Sequence, residues 1–298
     1  MTNYQGIYPI LYAFFKADGT LDRNAMRVQV EASIRHGAHG IAILGLATEA
    51  NKLSTGERRQ VMEWAAEDVA GRVPLAVTIS EPNIPEYVAF AKAAAGLGAD
   101  WVILQPPAGR SVPETEYIRF FGAVADACPA PVAIQNAAMY LGTGLSDAGL
   151  KVLGRNHQNV KILKAEGTAA AIRKTIETTD GMFTVFNGRG GLELPDNLLA
   201  GCAGLIPAPE CFDVQVKIYN LIRQGGENNL QQALALYREI LPLIVFLMQS
   251  IDNFLCYGKR LTARRLGLEQ VFDRAPALEP DAFGLATLER YSDHLLAW

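Results

Sequence analysis

Eight short apolar runs, each followed by a longer helical pattern, limit what this chain can fold into more than any other feature. They read "GIYPILYAFF" (6–15), "GIAILG" (40–45), "PLAVTIS" (74–80), "WVILQP" (101–106), "PVAIQNA" (131–137), "VKILKAE" (160–166), "FTVFNG" (183–188) and "GLIPAP" (204–209). Between them stand segments such as "STGERRQVMEWAAEDVAG" and "NIPEYVAFAKAAAGLGAD". These carry the helix-starting residues Ser54 and Asn83, acidic first turns and closing glycines. Near-continuous apolar strands that alternate with helices imply a parallel sheet buried on both faces. Eight such units in about 210 residues fit a closed (β/α)8 TIM barrel, whose usual size is about 250 residues. A doubly wound open sheet is the alternative. It is weakened because "YAFFKADGT", not a G-x-G-x-x-G turn, follows the first strand.

After residue 226 the pattern changes. "NNLQQALALYREILPLIVFLMQS", "DNFLCYGKRLTARRLG" and "PDAFGLATLERYSDHLLAW" read as three helices without intervening strands. The expected organisation is a catalytic barrel over 1–226 and a helical appendage over 227–298. No low-complexity linker separates them, so the appendage is expected to pack on the barrel or on a neighbouring subunit.

Composition narrows the partners. A net charge of −4 over 298 residues offers no electrostatic attraction for nucleic acid or an anionic membrane. Basic stretches such as "GKRLTARRLG" are isolated and read as one face of a helix. The N-terminus lacks the basic-then-apolar layout of a signal peptide. The longest apolar run, "ILPLIVFLM" at 240–248, falls well short of the roughly 20 residues that span a bilayer, so no membrane partner is expected. Cys128, Cys202, Cys211 and Cys256 show no C-x-x-C spacing, which suits reduced thiols in a cytoplasmic protein.

In such barrels the chemistry lies at the C-terminal ends of the strands. There the sequence supplies one lysine, few carboxylates and no histidine. The histidines lack metal-binding spacing, and neither a Cys/His pair nor a G-x-S-x-G elbow is present, so no metal and no organic cofactor is expected. Amine chemistry remains. In "VKILKAEGT" a strand's period of two puts Lys164 and Glu166 on one face and Ala165 on the other. An ε-amine in an apolar barrel mouth is poorly solvated, so more of it is the neutral nucleophile that condenses with a ketone. An ion pair capping the strand is the plainer alternative. The turn "GLATEA" offers consecutive N–H groups and the Thr48 hydroxyl to a carboxylate, or it is a simple strand-to-helix turn. Gly188 to Gly191 allow backbone to approach a ligand, or merely fit a tight turn.

Three of these segments resemble the dihydrodipicolinate synthase/N-acetylneuraminate lyase family of class I, Schiff-base aldolases and dehydratases. They are "GLATEANKLSTGER" after strand two, "VKILKAEG" on strand six and "FNGRGG" after strand seven. The resemblance implies a 2-oxo acid held by its carboxylate on Ala47 and Thr48, an imine on Lys164, and Gly188 nearby. It also implies a homo-oligomer, expected to be a homotetramer, with the apolar 240–248 run as a surface to bury. The departures matter more. Gln135, followed by Asn136, stands where the family has its strand-five tyrosine; Leu46 and Ala47 replace threonines; and "QPPAGR" lacks the strand-four tyrosine of synthases. Tyr140 lies too far past strand five to be assumed a substitute. Glu166 is then the ionisable group two residues from Lys164 that can move protons beside an imine. A K-x-E strand together with Gln135 and Asn136 resembles the L-2-keto-3-deoxyarabonate dehydratase branch, which implies loss of water to give 2-oxoglutarate semialdehyde. An aldolase or lyase that releases or condenses pyruvate, and a non-catalytic 2-oxo-acid-binding protein, are the alternatives.

Overall fold

The computed structural model describes residues 4–107 and 112–298. Its sheet comprises β1 (Gly6–Ile7), β2 (Ile41–Ile43), β3 (Leu75–Ile79), β4 (Trp101–Leu104), β5 (Val132–Asn136), β6 (Val160–Ala165), β7 (Thr184–Asn187) and β8 (Gly204–Leu205). Every pairing is parallel, in the order β1-β8-β7-β6-β5-β4-β3-β2. A parallel bridge from Ile10 to Ala42 joins the two ends, with the Leu11 N–H donating to the Ala42 carbonyl at 2.9 Å. The sheet therefore closes into the expected barrel, and the open-sheet alternative falls. The first run is strand-like over only two residues. Pro9 brings no N–H to the ladder, and the chain stays buried and extended beyond it.

Each strand divides its side chains between two cores, as the period of two requires. Leu75, Val77, Val102, Leu104, Val132, Ile134, Leu163 and Val185 face the surrounding helices. Ile7, Ala42, Ala76, Trp101, Ile103, Ala133, Ile162, Phe186 and Leu205 fill the barrel. Low in the interior, Tyr8, Trp101 and Phe186 pack ring on ring, with centroids 5.2 to 5.7 Å apart. One layer further along the strands, the inward positions are Gln105, Gln135 and Lys164.

The helix starts read from sequence are present. Ser54 and Glu57 form a reciprocal capping box at the head of Thr55–Val69, and Asn83 accepts from the Glu86 N–H at the head of Ile84–Gly96. Such caps contribute about 1 kcal/mol each.

The C-terminal helices follow the barrel. Helix Glu227–Leu247 buries Ala233, Tyr237, Ile240, Ile244 and Leu247 in the inner cluster. Among the described residues it is the one helix long and apolar enough, by length and composition, to cross a membrane, a property that the nine-residue run within it did not disclose. Next, Ile251–Asn253 runs through a π-helical turn at Phe254–Gly258 into Lys259–Arg265. Helix Ala282–Ser292 comes last. The basic stretch here is not a solvated face. Lys259 is fully buried against Glu49, and the buried Arg265 forms a two-pronged pair with Asp213 at 2.8 and 2.9 Å.

Candidate functional site

Lys164 ends the inward row of β6, opposite Gln135 on β5 and Phe186 on β7. The apolar layers beneath it have closed the barrel, so its stem is packed and its amine emerges at the C-terminal mouth. Glu166 follows on the same face, and its N–H donates to the Asn136 carbonyl at 3.0 Å. The Lys164 Nζ lies 3.0 Å from Glu166 Oε1, and both side chains are about 95% buried (4% and 6% exposed). A relay of amides supports the carboxylate. Gln135 Nε2 donates to Glu166 Oε1 at 3.1 Å, Gln105 Nε2 donates to Gln135 Oε1 at 3.0 Å, and Tyr87 donates to the Gln105 carbonyl at 3.0 Å. These amides and the hydroxyl behind them fix the carboxylate's orientation.

Above the pair is a small cavity that opens towards solvent. Ile10, Leu46, Ala47, Ile206, Ala208, Met248, Ile251 and Phe254 give it apolar walls, and Tyr140, Lys164, Glu166 and Arg189 give it polar side chains. The wall at Phe254 is the start of the π-helical turn, a local widening often found at functional positions.

Of the residues singled out in the sequence, Lys164, Glu166 and Ala47 line this cavity together. Gln135 stands behind the carboxylate. Thr48 does not present its hydroxyl: it donates to the Leu11 carbonyl at 2.6 Å and accepts from the Leu44 N–H at 2.9 Å, locking the turn after β2. What the turn can offer a ligand is backbone, since among the described residues neither the Ala47 nor the Thr48 N–H has a partner within the chain. Leu44 and Glu49 hold positive φ at either side of it (63° and 53°), a strained geometry that points to a constrained turn. Asn136 also turns away from the cavity. It accepts from the Leu145 N–H at 2.7 Å and donates to the Leu145 carbonyl at 2.9 Å, which ties down the loop after β5. Gly188 sits against Glu166. A Cβ added there would come 2.9 Å from Glu166 Oε1, so the absent side chain makes room for the carboxylate. Asn187 holds Gly188 in place by accepting its N–H at 2.7 Å. Of the loop "QPPAGR", Ala108, Gly109 and Arg110 lie outside the described residues.

Two further residues that the sequence reading gave no role also reach the cavity. Tyr140, too distant by spacing alone, is brought to the mouth by the short helix Ala138–Leu141. Burial raises its hydroxyl above the ordinary tyrosine range, against a hydrogen bond with Arg189 that pulls the other way. Arg189 follows Gly188, and its Nη1 donates to Glu193 Oε2 at 2.8 Å and to the Gly167 carbonyl at 3.1 Å. The "GR" after strand seven is visible in the sequence, but a turn's side-chain direction is not set by spacing.

Residues 3–283 match the model of the dihydrodipicolinate synthetase family. The L-2-keto-3-deoxyarabonate dehydratase of Azospirillum brasilense is 31% identical over 247 residues, 81% of this chain and 79% of that one. The 4-hydroxy-tetrahydrodipicolinate synthase of Methanosphaerula palustris is 29% identical over 243 residues, 80% of this chain and 82% of that one. Among solved structures, YagE of Escherichia coli K12, a prophage protein of the dihydrodipicolinic acid synthase family crystallised in complex with pyruvate, matches with a TM-score of 0.90. The two are 25% identical, and the match covers 99% of each chain.

Proposed function

The chain belongs to the dihydrodipicolinate synthetase family, and from that premise we propose that it is a Schiff-base dehydratase of a 2-keto-3-deoxy sugar acid. Its substrate is L-2-keto-3-deoxyarabonate, and its products are 2-oxoglutarate semialdehyde and water. The observation that carries this reading is the Lys164–Glu166 contact of 3.0 Å, in a cavity where Gln135 stands behind the carboxylate.

The substrate carboxylate sits on the N–H groups of Ala47 and Thr48. Lys164 Nζ attacks C2, and loss of water from the carbinolamine gives the imine. Glu166 then removes a C3 proton, and the electron pair rests in the enamine. The protonated Glu166 delivers that proton to the C4 hydroxyl, which leaves as water. Tautomerisation moves a proton from C5 to C3 and the C5 hydroxyl proton to C4, which forms the aldehyde. Hydrolysis of the imine then frees Lys164. One carboxylate serves as base and then acid, which its hydrogen-bonded position between Lys164 and Gln135 allows.

Tyr140 supports a second reading, an aldolase that releases pyruvate, because a tyrosine hydroxyl at the mouth can serve a proton relay. Incubation with a panel of 2-keto-3-deoxy acids separates the two. A 2,5-dioxo acid supports the dehydratase, pyruvate the aldolase, and no turnover of any member overturns both. Borohydride reduction in the presence of pyruvate is expected to add the ligand's mass at Lys164; an equal adduct on Lys164→Ala counts against the imine. The proposal includes a cytoplasmic homotetramer with residues 227–298 as an appendage of the catalytic unit, and light scattering tests its assembly.

A further inference from the structure

We propose that Arg189 and Tyr140 form a distal subsite that holds a hydroxyl oxygen on the far carbons of a 2-oxo acid whose C2 lies at Lys164. The inference rests on the imine reading above and adds the chemistry of the substrate's other end.

Four polar side chains line the cavity, and Lys164 and Glu166 are occupied with each other. The remaining two flank them and hydrogen-bond each other, Tyr140 from the segment after β5 and Arg189 from the turn after β7. The strand-two turn, which carries Ala47, lies across the barrel from β6. A 2-oxo acid with its carboxylate at that turn and C2 at Lys164 must direct its remaining carbons toward Tyr140 and Arg189. Elsewhere the walls are mostly aliphatic or aromatic, so distal hydroxyls would otherwise lose their water partners without replacement.

Arg189 is held ready for such an oxygen. Its Nη1 is committed to Glu193 and to the Gly167 carbonyl, which fixes the guanidinium plane. Its Nε, by contrast, is buried and has no partner among the described residues. A buried N–H without an acceptor is unfavourable, and it calls for a ligand oxygen or a water. The backbone of Arg189 itself has φ 55°, as does Glu193 at 56°, so the turn keeps a strained conformation that aims this side chain.

Charge selects a hydroxyl rather than a second anion. Glu193 balances Arg189 and Glu166 balances Lys164, so among the described residues that line the mouth no unpaired cation is left for an additional carboxylate or phosphate.

Calorimetry with two five-carbon ligands tests the subsite: 2-oxovalerate, and the same acid carrying a 5-hydroxyl, which has no C4 hydroxyl to expel and so is bound without being turned over. Wild type is expected to bind the hydroxylated acid at least tenfold more tightly, and Arg189→Met to lose most of that preference. Tyr140→Phe should lose a smaller part. Equal affinities on wild type, or a preference unchanged in Arg189→Met, overturn the subsite. Tighter binding of 2-oxoglutarate than of the hydroxylated acid overturns the choice of a neutral oxygen. The wild-type comparison remains decisive even if Arg189→Met does not fold. Calorimetry reads binding whether or not Lys164 reacts, while borohydride trapping on the same samples judges the imine separately.

Discussion

The Lys259 ammonium, at the start of the helical segment beyond the π-turn, is ion-paired with Glu49, which closes the turn carrying Ala47 and Thr48. Lys259 is fully buried, and Glu49 is shared with Lys52 at 2.6 Å. A C-terminal helix thus reaches across to the proposed carboxylate turn. Removing one partner of a buried pair leaves the other charge without compensation, although Lys52 remains for Glu49. Lys259→Met is expected to cost about 2–4 kcal/mol in urea denaturation. The double variant with Glu49→Gln should recover part of that loss.

Glu166→Gln keeps the size of the side chain and removes its basicity. If the carboxylate carries the proton, the variant should still form a borohydride adduct with pyruvate while turnover falls by about a hundred- to ten-thousandfold. Loss of adduct and turnover in the same proportion would instead mark Glu166 as an electrostatic partner of Lys164.

Gly188→Ala probes the same carboxylate by crowding it. The backbone there has φ −114° and ψ −116°, outside the extended and right-handed helical regions open to other residues, and the added methyl would lie 2.9 to 3.2 Å from Glu166, which Lys164 and Gln135 hold in place. Thermal stability is therefore expected to fall by about 1–3 kcal/mol, while turnover drops at least tenfold. Unchanged melting temperature and unchanged turnover would show that the turn needs no glycine.

Glu210 offers a pH test away from the cavity. It accepts from the Tyr12 hydroxyl at 2.8 Å, and burial pushes its carboxyl up to about 7. The folded chain holds this proton over a pH range where the unfolded chain has lost it. The resulting stability is fully present below the ordinary carboxylate range and is lost as pH rises towards 7. Denaturation midpoints of wild type should fall between pH 4.5 and 7, by the equivalent of about 1–3 kcal/mol. Glu210→Gln, which keeps an acceptor for Tyr12, should flatten that decline. A variant as pH-sensitive as wild type would remove Glu210 as its source.

What the sequence made legible follows from periodicity. Ile162, Lys164 and Glu166 alternate with Leu163 and Ala165, and in a barrel that alternation alone decides which side chains meet in the interior. Gln135 was readable for the same reason, from its place at a strand end. Turn side chains were not. The Thr48 hydroxyl and the Asn136 amide bond backbone nearby, because short polar side chains in turns satisfy local donors and acceptors first. Arg189 and Tyr140 reach the cavity through turns whose directions depend on the packed whole. The burial of Lys259 and Arg265 was not legible in a basic stretch that read only as one face of a helix, since their acidic partners stand 210 and 52 residues away in the chain.

Tyr8, Trp101 and Phe186 stack in the barrel beneath the amide layer, each at most 1% exposed. They make the barrel a blind well. Water has no route in from below, so once a substrate occupies the mouth, a proton taken from it by Glu166 has nowhere to diffuse. Under the proposed mechanism that proton returns to the same molecule. Isotope placed at C3 should then travel with the substrate's own atoms and leave in the expelled water or in the product, ahead of its dilution into the solvent.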